Sequence, residues 1–97
     1  MINRIVKMSF QQEHVDTFLE IFESSKHKIR NFDGCLHLEL LNDTAAPNRY
    51  FTFSKWESEE HLNKYRQSEL FLTTWAATKI LFNEKPEAWS SITTSRT

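Results

Sequence analysis

The sequence predicts an α+β fold in the order strand, helix, strand, strand, helix, strand. Three observations lead to it. Runs of alternating apolar or β-branched residues occur near 2–8, 35–41, 49–56 and 87–93. The stretches 10–30 and 58–85 carry their apolar residues at helical spacing instead. Asp33-Gly34 and the polar run Asn42 to Asn48 supply turn chemistry between elements.

The first strand, Ile2 to Met8, is rich in β-branched and apolar types. Ser9 follows with Gln12 three residues on, a capping-box spacing that predicts a helix from about 10 to 30. Val15, Phe18, Leu19, Phe22 and Ile29 share one face of that helix, with Glu13, Asp16, Glu20 and Glu23 elsewhere. Asp33-Gly34 holds the only glycine of the chain, placed where the backbone must turn. In the second strand Leu36, Leu38 and Leu40 alternate with Cys35, His37 and Glu39. Arg49 to Trp56 is the third strand, with Phe51 and Phe53 opposite Tyr50, Thr52, Ser54 and Trp56. A short polar link makes these two strands an antiparallel hairpin.

Ser58 caps an acidic first turn, Glu59-Glu60, and Leu62 and Tyr65 follow. Ser68 is a second capping residue and marks a break. Beyond it Phe71, Thr74, Trp75, Thr78 and Phe82 fall on one face, and the helix must stop before Pro86. Glu87 to Thr93 form the last strand, and residues 93–97 fray. This order is the ferredoxin-like arrangement: a four-stranded antiparallel sheet with its helices on one face. Both sheet faces contain apolar residues, so a second copy is expected to cover the face without helices.

At 97 residues the chain is read as one domain, 1–97. Eight Phe, three Trp and two Tyr need a core, a partner or a ligand to cover them. The net charge of -1, with no long block of one sign, argues against nucleic acid and anionic membranes as partners. A single cysteine, Cys35, cannot form an internal disulfide, and the charged N-terminal stretch is no signal peptide. No apolar run approaches the roughly 20 residues that cross a bilayer. A cytoplasmic location is therefore expected.

Several segments are similar to one known family. They are Gly34-Cys35, Leu38 to Leu40, the run Tyr50-Phe51-Thr52-Phe53-Ser54-Lys55-Trp56-Glu57-Ser58-Glu59-Glu60, and Tyr65 to Phe71. Together they resemble the antibiotic biosynthesis monooxygenase domain over about 2–93. The most specific part is a strand ending in Trp-x-Ser, then an acidic helix start and a Ser-x-x-Phe segment. The resemblance implies a dimeric α/β-barrel in which two sheets pack face to face. Some members of the family oxidise quinol-like or polyketide aromatics with molecular oxygen and no cofactor, and others degrade haem. This chain departs from the family where relatives often carry a glutamate two residues before the strand-end tryptophan; here Ser54 stands there. Relatives also carry histidines around the Ser-x-x-Phe segment, where this chain has Tyr65 and Leu70. The Asn, Trp and His of the haem-degrading branch match Val6, Tyr65 and Trp75, so the axial histidine of haem is missing.

The resemblance implies a small aromatic substrate, a homodimer, and no cofactor. Cofactor-free oxygenation needs an apolar pocket for an electron-rich phenol and a group that handles its proton. Tyr65 and Trp75 in the second helical stretch are the candidates, each weighed against a plain core role. His37, the only histidine on a strand, is the third, since an imidazole can titrate near neutral pH; an interface role competes. Trp56, Phe71, Trp89 and Phe53 are expected to line the pocket, with Trp56 also an anchor of the fold and Trp89 placed either in the pocket or at the dimer seam. His14, His27 and His61 are expected on solvated helix faces, Arg4 paired with Glu39, and Cys35 buried and inert. No pair of His, Cys or carboxylates has metal-ligand spacing, so no metal site is expected. A non-catalytic dimeric ligand-binding domain is the competing function. Single-strand RNA binding shares the strand order, but the glycines of its aromatic strand are missing.

Overall fold

The computed structural model describes residues 1–97. The elements are β1 (Ile2–Ser9), a single 3-10 turn (Gln12–His14), α1 (Val15–Arg30), β2 (Cys35–Asn42), β3 (Arg49–Trp56), α2 (Glu59–Arg66), α3 (Glu69–Lys79) and β4 (Glu87–Ser91). The four strands form one sheet in the order β2-β3-β1-β4, antiparallel at every pairing. This is the α+β ferredoxin-like arrangement that the residue pattern predicts.

Strand parity sorts the side chains into two layers, because successive residues of a strand point to opposite faces. Arg4, Val6 and Met8 of β1, paired with Ser54, Thr52 and Tyr50 of β3, look toward the helices. Asn3, Ile5 and Lys7, paired with Lys55, Phe53 and Phe51, form the face without helices. The main core lies between β1, α1 and the end of α3: Met8, Phe10, Val15, Phe18, Tyr50 and Leu81 are all buried. A second core of Cys35, Trp56 and Leu62 closes the other end, with Phe32 and Tyr65 against it.

Three boundaries and one stretch of strand differ from expectation, and packing explains the two helix limits. The first helix begins at Val15, not near 10, and Ser9 does not cap it; Ser9 is a buried strand residue whose carbonyl accepts the Asn83 N–H at 3.0 Å. Phe10, wholly buried, bridges to Phe82 and stacks on Phe18 with ring centroids 4.1 Å apart. Burying that ring outweighs an earlier helix start. The last helix stops at Lys79, well short of Pro86, and Phe82 leaves the helical face; this lets Leu81 bury and its carbonyl accept the Gln11 N–H at 3.0 Å. In β2 a bulge between Cys35 and His37 ejects Leu36, which is exposed, so the three leucines do not share a face. β4 ends at Ser91 rather than Thr93 and is exposed along its length.

Two serines set the helix starts. Ser58 Oγ accepts the His61 N–H and Ser68 Oγ accepts the Phe71 N–H. The second also donates to the Tyr65 carbonyl at 2.6 Å, which ties the break between α2 and α3.

Candidate functional site

A cavity of about 300 Å³ lies between the sheet and the helices. Its floor is the helix-facing side of β1 and β3: Arg4, Val6 and Met8 beside Thr52, Ser54 and Trp56. One wall is α1, through Phe18, Phe22 and Ile29. The roof is α2 and α3, which contribute Tyr65, Arg66, Phe71, Thr74 and Trp75. Pro86, Glu87 and Ala88 edge it on the β4 side, where the strand is exposed. The lining is mainly apolar, as small-molecule sites are, and it also carries two arginines, a glutamate, a serine and three threonines.

Aromatics of the roof and of the floor form a continuous wall. Trp56 and Tyr65 stack at 4.8 Å, Tyr65 meets Phe71 edge-on at 5.3 Å, and Phe71 stacks on Trp75 at 5.8 Å. Trp75 in turn meets Phe82 at 5.5 Å. Rings packed this way hold one another in place and present flat apolar surface to the cavity. Trp56 is almost wholly buried, and its indole N–H donates to Ser54 Oγ at 3.0 Å. Ser54 thus anchors the tryptophan.

Tyr65 is the phenol of the wall. Burial, and secondarily the nearby Cys35, push its pKa well above the ordinary tyrosine value. The hydroxyl is therefore a proton donor at neutral pH, not a base. Every buried side-chain polar atom has a hydrogen-bond partner within the chain. No partner engages the Tyr65 hydroxyl, so it reaches open space. Cys35 is buried and burial raises its thiol, which keeps it protonated and inert.

Of the residues expected at the site, Tyr65, Trp75, Trp56 and Phe71 meet around the cavity. Phe53, Trp89 and His37 do not. Phe53 and Trp89 both flank Ile5 in register, on the sheet face without helices. His37 lies there too, 5.5 Å from the Phe53 ring, with Nε2 2.5 Å from Glu39 Oε1. Arg4 does not pair with Glu39, since the two occupy opposite faces; it donates from Nη1 to Ser90 Oγ at 3.0 Å. His61 is not a solvated helix residue: its ring covers Gly34, and its Nδ1 lies 2.7 Å from Ser58 Oγ.

Arg4, Arg66, Thr52 and Thr74 line the cavity and were not expected there. Strand parity carried the signal for Arg4, because Ile2, Arg4, Val6 and Met8 are in phase and the last three share the cavity floor. No group of three or more His, Cys, Asp or Glu side chains is placed to hold a metal ion. No helix is long and apolar enough to cross a membrane.

The family model described as "Antibiotic biosynthesis monooxygenase" matches residues 1–77. Among curated proteins, none matches. A solved structure described as an antibiotic biosynthesis monooxygenase superposes with a TM-score of 0.92 at 17% identity, covering 98% of this chain and 100% of its own. A conserved protein from Methanosarcina mazei Go1 gives 0.89 at 17%, covering 93% and 89%. A protein from Mycobacterium tuberculosis gives 0.89 at 15%, covering 98% and 96%. At these identities the likeness to the solved structures is one of fold.

Proposed function

The chain belongs to the antibiotic biosynthesis monooxygenase family, and from that premise we propose that it oxidises a small electron-rich aromatic with molecular oxygen and no cofactor. The observation that carries this reading is the cavity itself: about 300 Å³, walled by Trp56, Tyr65, Phe71 and Trp75, with one protonated phenol among them. Flat ring surfaces suit a quinol-like or polyketide-like substrate.

In this chemistry the substrate supplies all four electrons that reduce oxygen. A ring carbon in the keto form of a phenol loses two hydrogens and gains one oxygen atom; the other oxygen atom leaves as water with those hydrogens. The ionised phenol is the species that gives an electron to oxygen. Within that scheme Tyr65 donates a hydrogen bond to substrate oxygen, and Trp75 and Phe71 fix the ring plane. Trp56 holds Tyr65 in position. His37 has no part in the scheme, because its ring lies on the opposite sheet face.

The rest of the reading concerns assembly. The face without helices carries an apolar row, Trp89, Ile5 and Phe53, across three strands, with Ile5 37% and Trp89 48% exposed. A second copy packed sheet to sheet covers that row, so the chain works as a homodimer of single-domain subunits. A cytoplasmic location is part of this proposal, since the lone buried thiol needs no oxidising environment.

One observation favours a second reading, a non-catalytic ligand-binding domain. No imidazole lines the cavity, and its phenol is held protonated, so no side chain among the aromatic walls serves as a base. Oxygen uptake separates the two. With an anthrone and a panel of hydroquinones, the enzyme reading expects one oxygen consumed per product and slower turnover in Tyr65→Phe and Trp75→Phe. Binding without oxygen uptake on any of them leaves the second reading in force.

A further inference from the structure

Two arginines line the cavity, and neither has an anion to hold. Arg4 stands near the middle of the floor on β1, and Arg66 closes α2 at the exposed rim. The only side-chain hydrogen bond of Arg4 runs from Nη1 to Ser90 Oγ at 3.0 Å. A guanidinium has five N–H donors, so most of its capacity is unspent. The four ion pairs of the chain are Lys26 with Glu23, His37 with Glu39, Arg49 with Asp43 and His61 with Asp33; neither cavity arginine is among them. Glu87, the one carboxylate on the lining, is in no ion pair with either.

This arrangement is costly as it stands. Burial, and then the Arg66 charge, lower the proton affinity of Arg4, so the two charges already act on each other. Two like charges beside an apolar cavity repel, and the inner one is short of water. A single anionic group placed between them relieves both terms.

The geometry points to a ligand that joins an aromatic body to an anionic oxygen, with its ring against Trp56, Tyr65, Phe71 and Trp75 and its anion on Arg4 and Arg66. This rests on the reading of the cavity as an aromatic site and deepens it by fixing the charge of the substrate class. A carboxylate matches the planar fork of a guanidinium in two parallel bonds. A phenolate presents the same charge on one atom. In the second case the cationic pair also favours ionisation of the bound phenol, so the reactive form arises without a protein base.

Calorimetric titration with 2-naphthoate and its neutral isostere 2-naphthamide tests this directly, and the wild-type comparison needs no variant. Wild type should bind the acid roughly tenfold or more tightly than the amide. Arg4→Gln and Arg66→Gln should each lose most of that preference while holding the amide within about twofold of wild type. Lys79→Gln, an exposed charge off the cavity, should change neither. A third arm follows the visible absorbance of 4-nitrophenol: its apparent pKa should fall on binding to wild type but not to Arg4→Gln. Naphthoate preference without that fall assigns the site to carboxylates, and the fall without the preference assigns it to phenolates. Equal binding of acid and amide with no fall overturns the anion site and leaves the aromatic cavity standing. Failure of every probe to bind overturns both. Acid preference with no oxygen uptake removes the oxygenase reading alone.

Discussion

Tyr65 lies against Trp56 with ring centroids 4.8 Å apart and planes 25° from parallel. That stack joins the roof of the cavity to its floor, and it leaves the phenol hydroxyl as the only part of Tyr65 free for chemistry. Removing the hydroxyl alone should therefore separate function from folding. Tyr65→Phe is expected to keep the stack, to change stability by less than about 1 kcal/mol, and to slow turnover on an anthrone by roughly a hundredfold. Urea denaturation and oxygen uptake on the same preparation measure the two effects. A variant that turns over at the wild-type rate removes Tyr65 from the mechanism.

Alkaline stability should report the same burial. The Cys35 thiol and the Tyr65 phenol are both raised above their ordinary values of 9.0 and 10.0. In the unfolded chain each ionises at its ordinary value. Above about pH 9 the unfolded state therefore releases protons that the folded state keeps, and stability falls as pH rises. The contribution is complete below that pH and is lost progressively above it. Urea midpoints at about pH 7 and about pH 10.5 should differ in wild type, and the drop should shrink in Cys35→Ala/Tyr65→Phe. An equal drop in both proteins contradicts the assignment.

How far the sequence revealed this molecule depends on what each signal can carry. Strand order, hairpin and helix starts at Ser58 and Ser68 were legible, because capping and period-two patterns are local. The start of α1 was not. Ser9 and Gln12 have capping-box spacing, but Phe10 is held in extended chain by its stack on Phe18 and its bridge to Phe82, contacts that a capping pattern does not register. Tyr65, Phe71 and Trp75 were legible as cavity walls through helical spacing. Phe53 was expected in the pocket and Trp89 was left between pocket and seam, because aromatic character says nothing of which face a residue occupies; the register with Ile5 decides that. Arg4 was expected to pair with Glu39 across neighbouring strands for the same reason.

Gly34 gives a sharper stability test. Its φ is +86°, and a Cβ there would overlap the His61 ring, which Ser58 holds through Nδ1. Gly34→Ala should cost about 2–4 kcal/mol, combining left-handed backbone strain with the overlap. Adding His61→Gly, which removes the clashing His61 Cβ along with the ring, should recover the steric part and leave about 1 kcal/mol, a non-additive result that a double-mutant cycle reads directly.

Ser68 controls the break in the roof. Its Oγ accepts from the Phe71 N–H at 3.1 Å and donates to the Tyr65 carbonyl at 2.6 Å. Ser68→Ala should cost about 1 kcal/mol of stability. It should also weaken binding of an aromatic probe, since both flanking aromatics line the cavity. Ser68→Asp should restore the cap, and part of the stability, without the bond to the carbonyl.

The assembly is open to a charge placed on the bare face. Ile5 sits between Phe53 and Trp89 in the apolar row. In the proposed dimer Ile5→Glu would bury a carboxylate in the seam, so sedimentation should show a dimer for wild type and a monomer for the variant at the same micromolar concentration. A monomeric wild type sinks the sheet-to-sheet model.

The alternation along β1 has a consequence for how such a protein changes over generations. Arg4, Val6 and Met8 face one way and Asn3, Ile5 and Lys7 the other. A single codon change therefore alters either the lining of the cavity or the face without helices, and rarely both. One face can drift while the other is held, and structures of one shape can share as little as 14% of their residues.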